Sequence, residues 1–185
     1  MSKVRIAPLP PPYSSEVQQD FDRIMHGAPP LALFRTVARN PRVLSRMMAG
    51  GLLDRGSITI RARELMILRT CARCGAEYEW GVHVAVYSAK AKLSPAQVNA
   101  TAAAQINAAD WPIEDLLVLR LADALHDSSR VEDALWAELS ACYDETQLIE
   151  LLMLAGLYHA VSFVVNGTGV EREAFAPKFP TTRPD

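Results

Sequence analysis

Apolar residues recur along this chain at helical intervals, and the stretches that carry them are separated by glycine, proline and short polar breaks. Val17, Phe21 and Ile24 mark one side of a helix that Ser14 or Ser15 can cap and that His26-Gly27-Ala28-Pro29-Pro30 ends. Leu31 to Ala38 makes a short helix. Asn40-Pro41 then breaks and restarts it, and Val43, Leu44, Met47 and Met48 continue the apolar face. A helix over 59–73 contains Ile60, Met66, Ile67 and Leu68, and Gly75 ends it, because glycine costs about 1 kcal/mol in a helix interior. The next helix covers 76–91. Ser94-Pro95-Ala96-Gln97 places serine at N-cap, proline at N1 and glutamine at N3, starting an alanine-rich segment expected to reach about Ala108. Three more helices follow, from Pro112-Ile113 to His126, from Val131 to Cys142 and from Gln147 to Asn166. The last carries Leu148, Leu151, Leu152, Leu154, Val161 and Phe163, and its predicted place is the centre of the bundle or an interface with another subunit. No stretch alternates with period two over a useful length, so the pattern predicts an all-α helical bundle of roughly seven to nine helices.

Domain organisation follows from the breaks. Residues 1–13, with Pro8, Pro10, Pro11 and Pro12, read as an extended arm, free or laid across a neighbouring subunit. Residues 14–175 read as one helical domain and 176–185 as a tail. The chain has 185 residues, half of them apolar, which is enough for one proper core. A net charge of −2 with no basic run argues against nucleic acid as a partner. No basic leader precedes an apolar stretch and no eighteen uncharged apolar residues are contiguous, so the expectation is a cytoplasmic protein with no membrane partner. Three cysteines do not form a secreted disulfide framework, and a close pair in a reducing compartment is free, metal-bound or redox-active.

The candidate chemistry is concentrated in 61–93. Glu64 and Cys71 are seven residues apart on one stripe of the first helix, and Cys74 follows Cys71 by three. Glu79 and His83 are an i, i+4 pair on the second, beside the stripe of Val82, Val86 and Ala89, so His83 is expected at the border of the core. If the helices fold back across Gly75, Glu64 approaches His83. Each candidate also has an ordinary reading. Cys71 and Cys74 can be inert packing residues, His83 a histidine satisfied by Glu79 or Glu64, and Tyr78 and Trp80 aromatics with a satisfied polar tip. Glu77 reads as solvated or inter-subunit, and His126 as a helix-end residue favoured by the dipole. Glu64, Glu79 and His83 also have the composition of a one-histidine, two-carboxylate metal site.

These segments together resemble the carboxymuconolactone decarboxylase-like superfamily, which includes γ-carboxymuconolactone decarboxylase and alkylhydroperoxidase D. The likeness is carried by LFRTVARNPRVL at 33–44, RARELMILR at 61–69, AEYEWGVHVA at 76–85, LSPAQV at 93–98 and LYHAVSFVVNGTGVE at 157–171. It implies an alkylhydroperoxidase D-like bundle that assembles as a homo-oligomer, acts on a small molecule and uses neither metal nor other cofactor. The reactive pattern of alkylhydroperoxidase D is a glutamate, eleven residues, then Cys-x-x-Cys-x-x-x-His. Aligned on His83, its glutamate falls on Glu64, its resolving cysteine on Ala76 and its attacking cysteine on Glu79. The acid–base pair is present, and both cysteines stand five residues early, at Cys71 and Cys74. The resemblance also brings in Tyr158 and His159, which with Trp80 are the expected substrate pocket. Three functions are therefore in contention. A thiol peroxidase would have Glu64 and His83 take the proton from Cys74, which attacks a hydroperoxide while Cys71 closes the disulfide. A non-redox acid–base enzyme of decarboxylase or lactone type would use Glu64, Glu79 and His83 on a small organic acid. A non-catalytic helical oligomer with a ligand pocket is the third.

Overall fold

The computed structural model describes residues 4–181, and among these it contains nine α-helices, one 3-10 turn and no strand. They are α1 (Ser15–Met25), α2 (Ala32–Val37), α3 (Pro41–Ala49), α4 (Ile60–Arg73), α5 (Glu77–Tyr87), α6 (Pro95–Thr101), α7 (Ile113–Ser128), α8 (Asp133–Cys142) and α9 (Glu145–Thr168). The all-α bundle expected from periodicity is the observed architecture.

Side-chain caps set many of the boundaries. Ser14, Asn40 and Thr59 each accept a backbone N–H in the first turn of α1, α3 and α4. Ser94 with Gln97, and Asp144 with Gln147, form complete capping boxes at α6 and α9. Gly75 adopts a φ of +65° between α4 and α5, a left-handed conformation that glycine takes without a Cβ clash. Two boundaries differ from expectation by more than two residues. The α6 helix stops at Thr101, well short of Ala108, and the chain turns through a 3-10 turn at Ala108–Asp110. The α5 helix ends at Tyr87 rather than Ala91, since Lys92 takes a positive φ and Leu93 N–H bonds back to Ser88.

The centre of the bundle is α4, not the more apolar α9. Every residue of α4 from Ala62 to Ala72 is buried, polar and charged ones included, with α5, α7 and α9 packed around it. Arg69 is 1% exposed and is satisfied by a two-point pair with Asp123 on α7, at 2.6 and 2.9 Å, and by the carbonyls of Thr101 and Ala103. Truncating one partner of such a pair strands the other charge, at about 3–5 kcal/mol. Helix α9 buries Leu148, Leu151, Leu154, Tyr158 and Val161 but leaves Ile149, Met153 and Phe163 more than 60% exposed. By length and composition α9 could cross a membrane, yet its inner face packs into the core of the bundle. A second apolar cluster, with Phe21, Leu33 and Leu44 at its heart, joins α1, α2 and α3 to Tyr78, Val82 and Val161.

Both ends of the described chain lie on the bundle. The proline arm packs on its own α2: Leu9 N–H bonds to the Arg35 carbonyl, while Arg35 and Arg39 donate to the carbonyls of Leu9 and Ala7. At the other end Phe179 N–H bonds to Glu77, its ring lies 5.2 Å from that of Trp80, and a Cβ at Gly81 would collide with the Pro177 carbonyl oxygen. Residues 1–3 of the expected arm and 182–185 of the expected tail lie outside the described residues.

Candidate active site

Glu64 points inward from α4 beside Ile67 and Leu68, its core neighbours one turn on along the same stripe, and it is fully buried. Across Gly75, His83 on α5 presents Nδ1 to Glu64 Oε2 at 2.7 Å. The far ring nitrogen, Nε2, lies 2.9 Å from the Tyr158 hydroxyl on α9 and 3.5 Å from Glu79 Oε1 one turn earlier on α5. Arg63 closes the other side, donating to Glu64 Oε1 at 3.0 Å and to the Leu53 carbonyl. Tyr87 stacks on His83 at 5.2 Å between ring centres and lies under the Arg63 guanidinium. Three helices thus bring two carboxylates, an imidazole, a phenol and a guanidinium into one almost dry cluster.

The electrostatics follow. Burial pulls the His83 imidazole toward its neutral form, but the hydrogen bonds and charges of Glu64 and Glu79 outweigh it and raise its pKa to about 9. At neutral pH His83 therefore holds its proton, between the carboxyl groups of Glu64 and Glu79. Tyr158 is pushed well above its ordinary value by burial and by the Glu79 charge, so it remains a neutral phenol able to donate or accept. Glu79 has the loosest hold on the imidazole. A cation held by Glu64, Glu79 and His83 would have to displace Arg63 from Glu64 and Tyr158 from His83.

The remaining expected site residues lie in two other places. Cys71 is fully buried, and its thiol is raised by burial and by Glu79. Cys74, the C-cap of α4, is half-buried, and burial raises its thiol too, with the Arg73 charge acting in the opposite sense. The buried Ser162 hydroxyl lowers both thiols without a hydrogen bond of full geometry, and offsets only part of the burial. The polar neighbour of the Cys74 sulfur is His126 Nδ1 at 3.7 Å, not His83. The expected pocket trio is likewise divided. Tyr158 belongs to the buried cluster, His159 turns to His126 with Nε2 3.3 Å from Nδ1, and Trp80 is a packed aromatic whose Nε1–H bonds to Thr101 at 3.0 Å.

His83 lies deeper than the core border expected of it, and Val86, placed on the inner stripe, is 41% exposed. The first two turns of α5 are enclosed by α4, α9 and the segment after Ala176, which leaves them no polar side. Glu77 is half-buried and accepts from Phe179 N–H, and Tyr78 is satisfied by Glu173 and Leu33 N–H. Sequence reasoning missed Arg63 and Tyr87. Their signal was available: a buried carboxylate next to an arginine, and an aromatic four residues after a histidine on one helix.

A cavity of about 360 Å³ lies outside this cluster against Arg63 and Tyr87, bordered also by Arg55, Lys90, Asp54 and Glu150. A larger cleft of about 720 Å³ beside α6 lies among neutral residues and Asp110, away from these groups.

No curated protein sequence matches the chain. An uncharacterized peroxidase-related protein from Silicibacter sp. TM1040 shares the fold at a TM-score of 0.78 and 17% identity, covering 97% of both chains. The debrominase Bmp8 does so in its apo form (TM-score 0.72, 16% identity, 94% of each chain). A cysteine-to-alanine variant of Bmp8 in complex with 2,3,4-tribromopyrrole matches at a TM-score of 0.71 and 16% identity over 95% and 94% of the two chains. Identities this low carry the fold alone. The model of the carboxymuconolactone decarboxylase family, however, matches residues 41–135, from α3 through both halves of the Glu64–His83 cluster into α8, and the chain is a member of that family.

Proposed function

We propose that this protein is a non-redox general acid–base enzyme, a decarboxylase-type lyase acting on a small carboxylated or lactone substrate. The supporting observation is the buried Glu64–His83–Tyr158 hydrogen-bonded chain with Glu79 beside it, at a position where a reactive thiol would serve peroxide chemistry. Both thiols are instead raised in pKa and so are poor nucleophiles at neutral pH. In the reaction, the bond from carbon to the departing carboxylate breaks, CO2 leaves, and the electron pair enters the adjacent unsaturated system of the substrate. The proton from the His83 imidazolium, handed on through Tyr158 or Glu79, ends on carbon. Glu64, itself held by Arg63, keeps the imidazole in place. The cavity with Arg55, Arg63 and Lys90 at its wall suits an organic anion, and Tyr87 stands between it and His83. The same reading places the protein in the cytoplasm as a homo-oligomer, with Ile149, Met153 and Phe163 on α9 as the apolar face that another subunit covers.

A panel of small unsaturated carboxylic acids and lactones, assayed for CO2 release and for solvent deuterium incorporated at carbon, tests the proposal. Turnover should fall at least a hundredfold in His83→Gln and stay unchanged in a Cys71→Ala, Cys74→Ala double variant. Turnover that depends on the cysteines and ignores His83 would overturn it.

One contact favours thiol peroxidase chemistry as a second reading: Cys74 Sγ lies 3.7 Å from the His126 imidazole, on the half-exposed side of the bundle. There His126, not His83, would take the thiol proton. The thiolate would attack the hydroperoxide, releasing alcohol and leaving a sulfenic acid. Cys71 would then condense with it, releasing water and forming a disulfide that an external dithiol reduces. Hydroperoxide consumption that is lost in Cys74→Ser but kept in His83→Gln would replace the first reading with this one.

A further inference from the structure

Two of the helices that build the buried cluster, α4 and α9, meet again at the far end of α4, with α7 there in place of α5. Here Cys74 closes α4, His126 stands in the last turn of α7 and His159 lies midway along α9. Among the described residues these three form one group whose potential ligand atoms all lie within 4.8 Å of one another. Their spacing has a specific size. A tetrahedral ion with bonds of about 2.0–2.1 Å to nitrogen and about 2.3 Å to sulfur separates its ligands by roughly 3.3 Å for two nitrogens and roughly 3.6 Å for nitrogen and sulfur. The observed separations are 3.3 Å from His126 Nδ1 to His159 Nε2 and 3.7 Å from His126 Nδ1 to Cys74 Sγ.

Tautomer and orientation are set as well. His159 donates its Nδ1–H to the Ala155 carbonyl at 2.9 Å, leaving the Nε2 lone pair directed at the cluster, which is the outer support that metal-binding imidazoles ordinarily have. Asn166 donates to the Cys74 carbonyl at 2.8 Å and fixes the end of α4. The two imidazoles stack at 5.5 Å. Arg73 is the nearby cation, and Asp123 and Asp127 pair with it. All three candidate ligands are half-buried, so an ion can enter and a fourth position stays open.

We propose that Cys74, His126 and His159 form a binding site for a borderline-soft divalent cation, Zn²⁺ being the best match to one thiolate and two imidazoles, with solvent or an exogenous ligand in the fourth position. Binding releases the Cys74 thiol proton to solvent as the metal–sulfur bond forms. His126 moves its ring proton from Nδ1 to Nε2 as it exchanges its bond to His159 for the metal, and a small side-chain movement of Cys74 or His159 closes the third edge. The site stands on atoms separate from the Glu64–His83 cluster and does not depend on the function proposed for that cluster.

Cobalt(II) titrated into the untagged, metal-stripped full chain tests the site. The expected result is a single equivalent with tetrahedral visible bands and a thiolate-to-cobalt charge-transfer band, displaced by Zn²⁺. Cys74→Ser should remove the charge-transfer band, and His126→Gln and His159→Gln should each weaken Zn²⁺ binding at least about tenfold, by the usual sensitivity of metal sites to their ligands. Cys142→Ser, at an exposed distant cysteine, should change nothing. Circular dichroism of each variant separates loss of metal from loss of fold. No charge-transfer band in the wild-type chain, a band that follows Cys142, or binding indifferent to both histidine variants would overturn the proposal.

Discussion

His83 and His126 are the same side chain in two settings of one bundle, and the contrast between them decides what each can do. His83 is buried with carboxylates on both sides, and their hydrogen bonds overcome desolvation and raise it to about 9. His126 is only part-buried. Burial, the Arg73 charge and the neighbouring His159 lower its pKa, against a weaker pull from Asp127 and Asp123. One imidazole therefore carries a proton at neutral pH and can give it away. The other is held toward its neutral form and, once its Nδ1 is released from His159, can hold a cation or accept a proton from a thiol. Burial alone would have lowered both, so the carboxylate contacts make the difference.

The largest expected effect comes from removing those carboxylates. Glu64→Ala strands a buried imidazolium and Arg63 and should reduce unfolding free energy by about 3–5 kcal/mol in urea titration. His159→Ala, in the half-open cluster, should cost about 1 kcal/mol or less. Equal losses would erase the distinction between the regions. Next in size is the pH dependence. Because His83 binds its proton more tightly folded than unfolded, its contribution is complete below the ordinary value of 6.5 and is lost as pH rises through about 9. The amount is on the order of 3 kcal/mol, read as a falling denaturation midpoint that disappears in His83→Gln. His126, lowered when folded, acts in the opposite sense: its contribution is present above its ordinary value and declines as pH falls below it. Tyr158→Phe should cost about 1–2 kcal/mol by removing the hydroxyl from His83 Nε2, measured by the same titration. The smallest effect concerns the thiols and leaves stability unchanged. Iodoacetamide at neutral pH should label exposed Cys142 first, Cys74 slowly and Cys71 only after unfolding, and rapid labelling of Cys74 would favour the peroxidase reading.

Much of the helical framework was legible because its signals are local. The caps at Ser14 and Ser94, the restart at Asn40-Pro41 and the break at Gly75 involve neighbours a few residues apart, and the chain uses them where the pattern placed them. The approach of Glu64 to His83 was also legible, since one reversal at glycine relates two short helices. What remained hidden depends on how faces of distant helices cross. Tyr158 and His159 are adjacent, so their side chains leave α9 about 100° apart, and nothing local says that one meets His83 while the other meets His126. Nor does apolar content identify the central helix. The α4 helix, with its buried Arg63, Glu64 and Arg69, is enclosed more completely than the richer hydrocarbon of α9, because each charge has a fixed partner inside.

The contact between Gly81 and Pro177 is made by main-chain atoms, with no side chain between them. A methyl group at position 81 would act as a wedge, lifting the 176–180 strap and pulling Phe179 off the indole of Trp80. Because the tolerance there is set by the bare width of the polypeptide, no repacking of neighbouring side chains can restore the fit. The outer wall of the helix that carries Glu79 and His83 is thereby made sensitive to a single carbon atom.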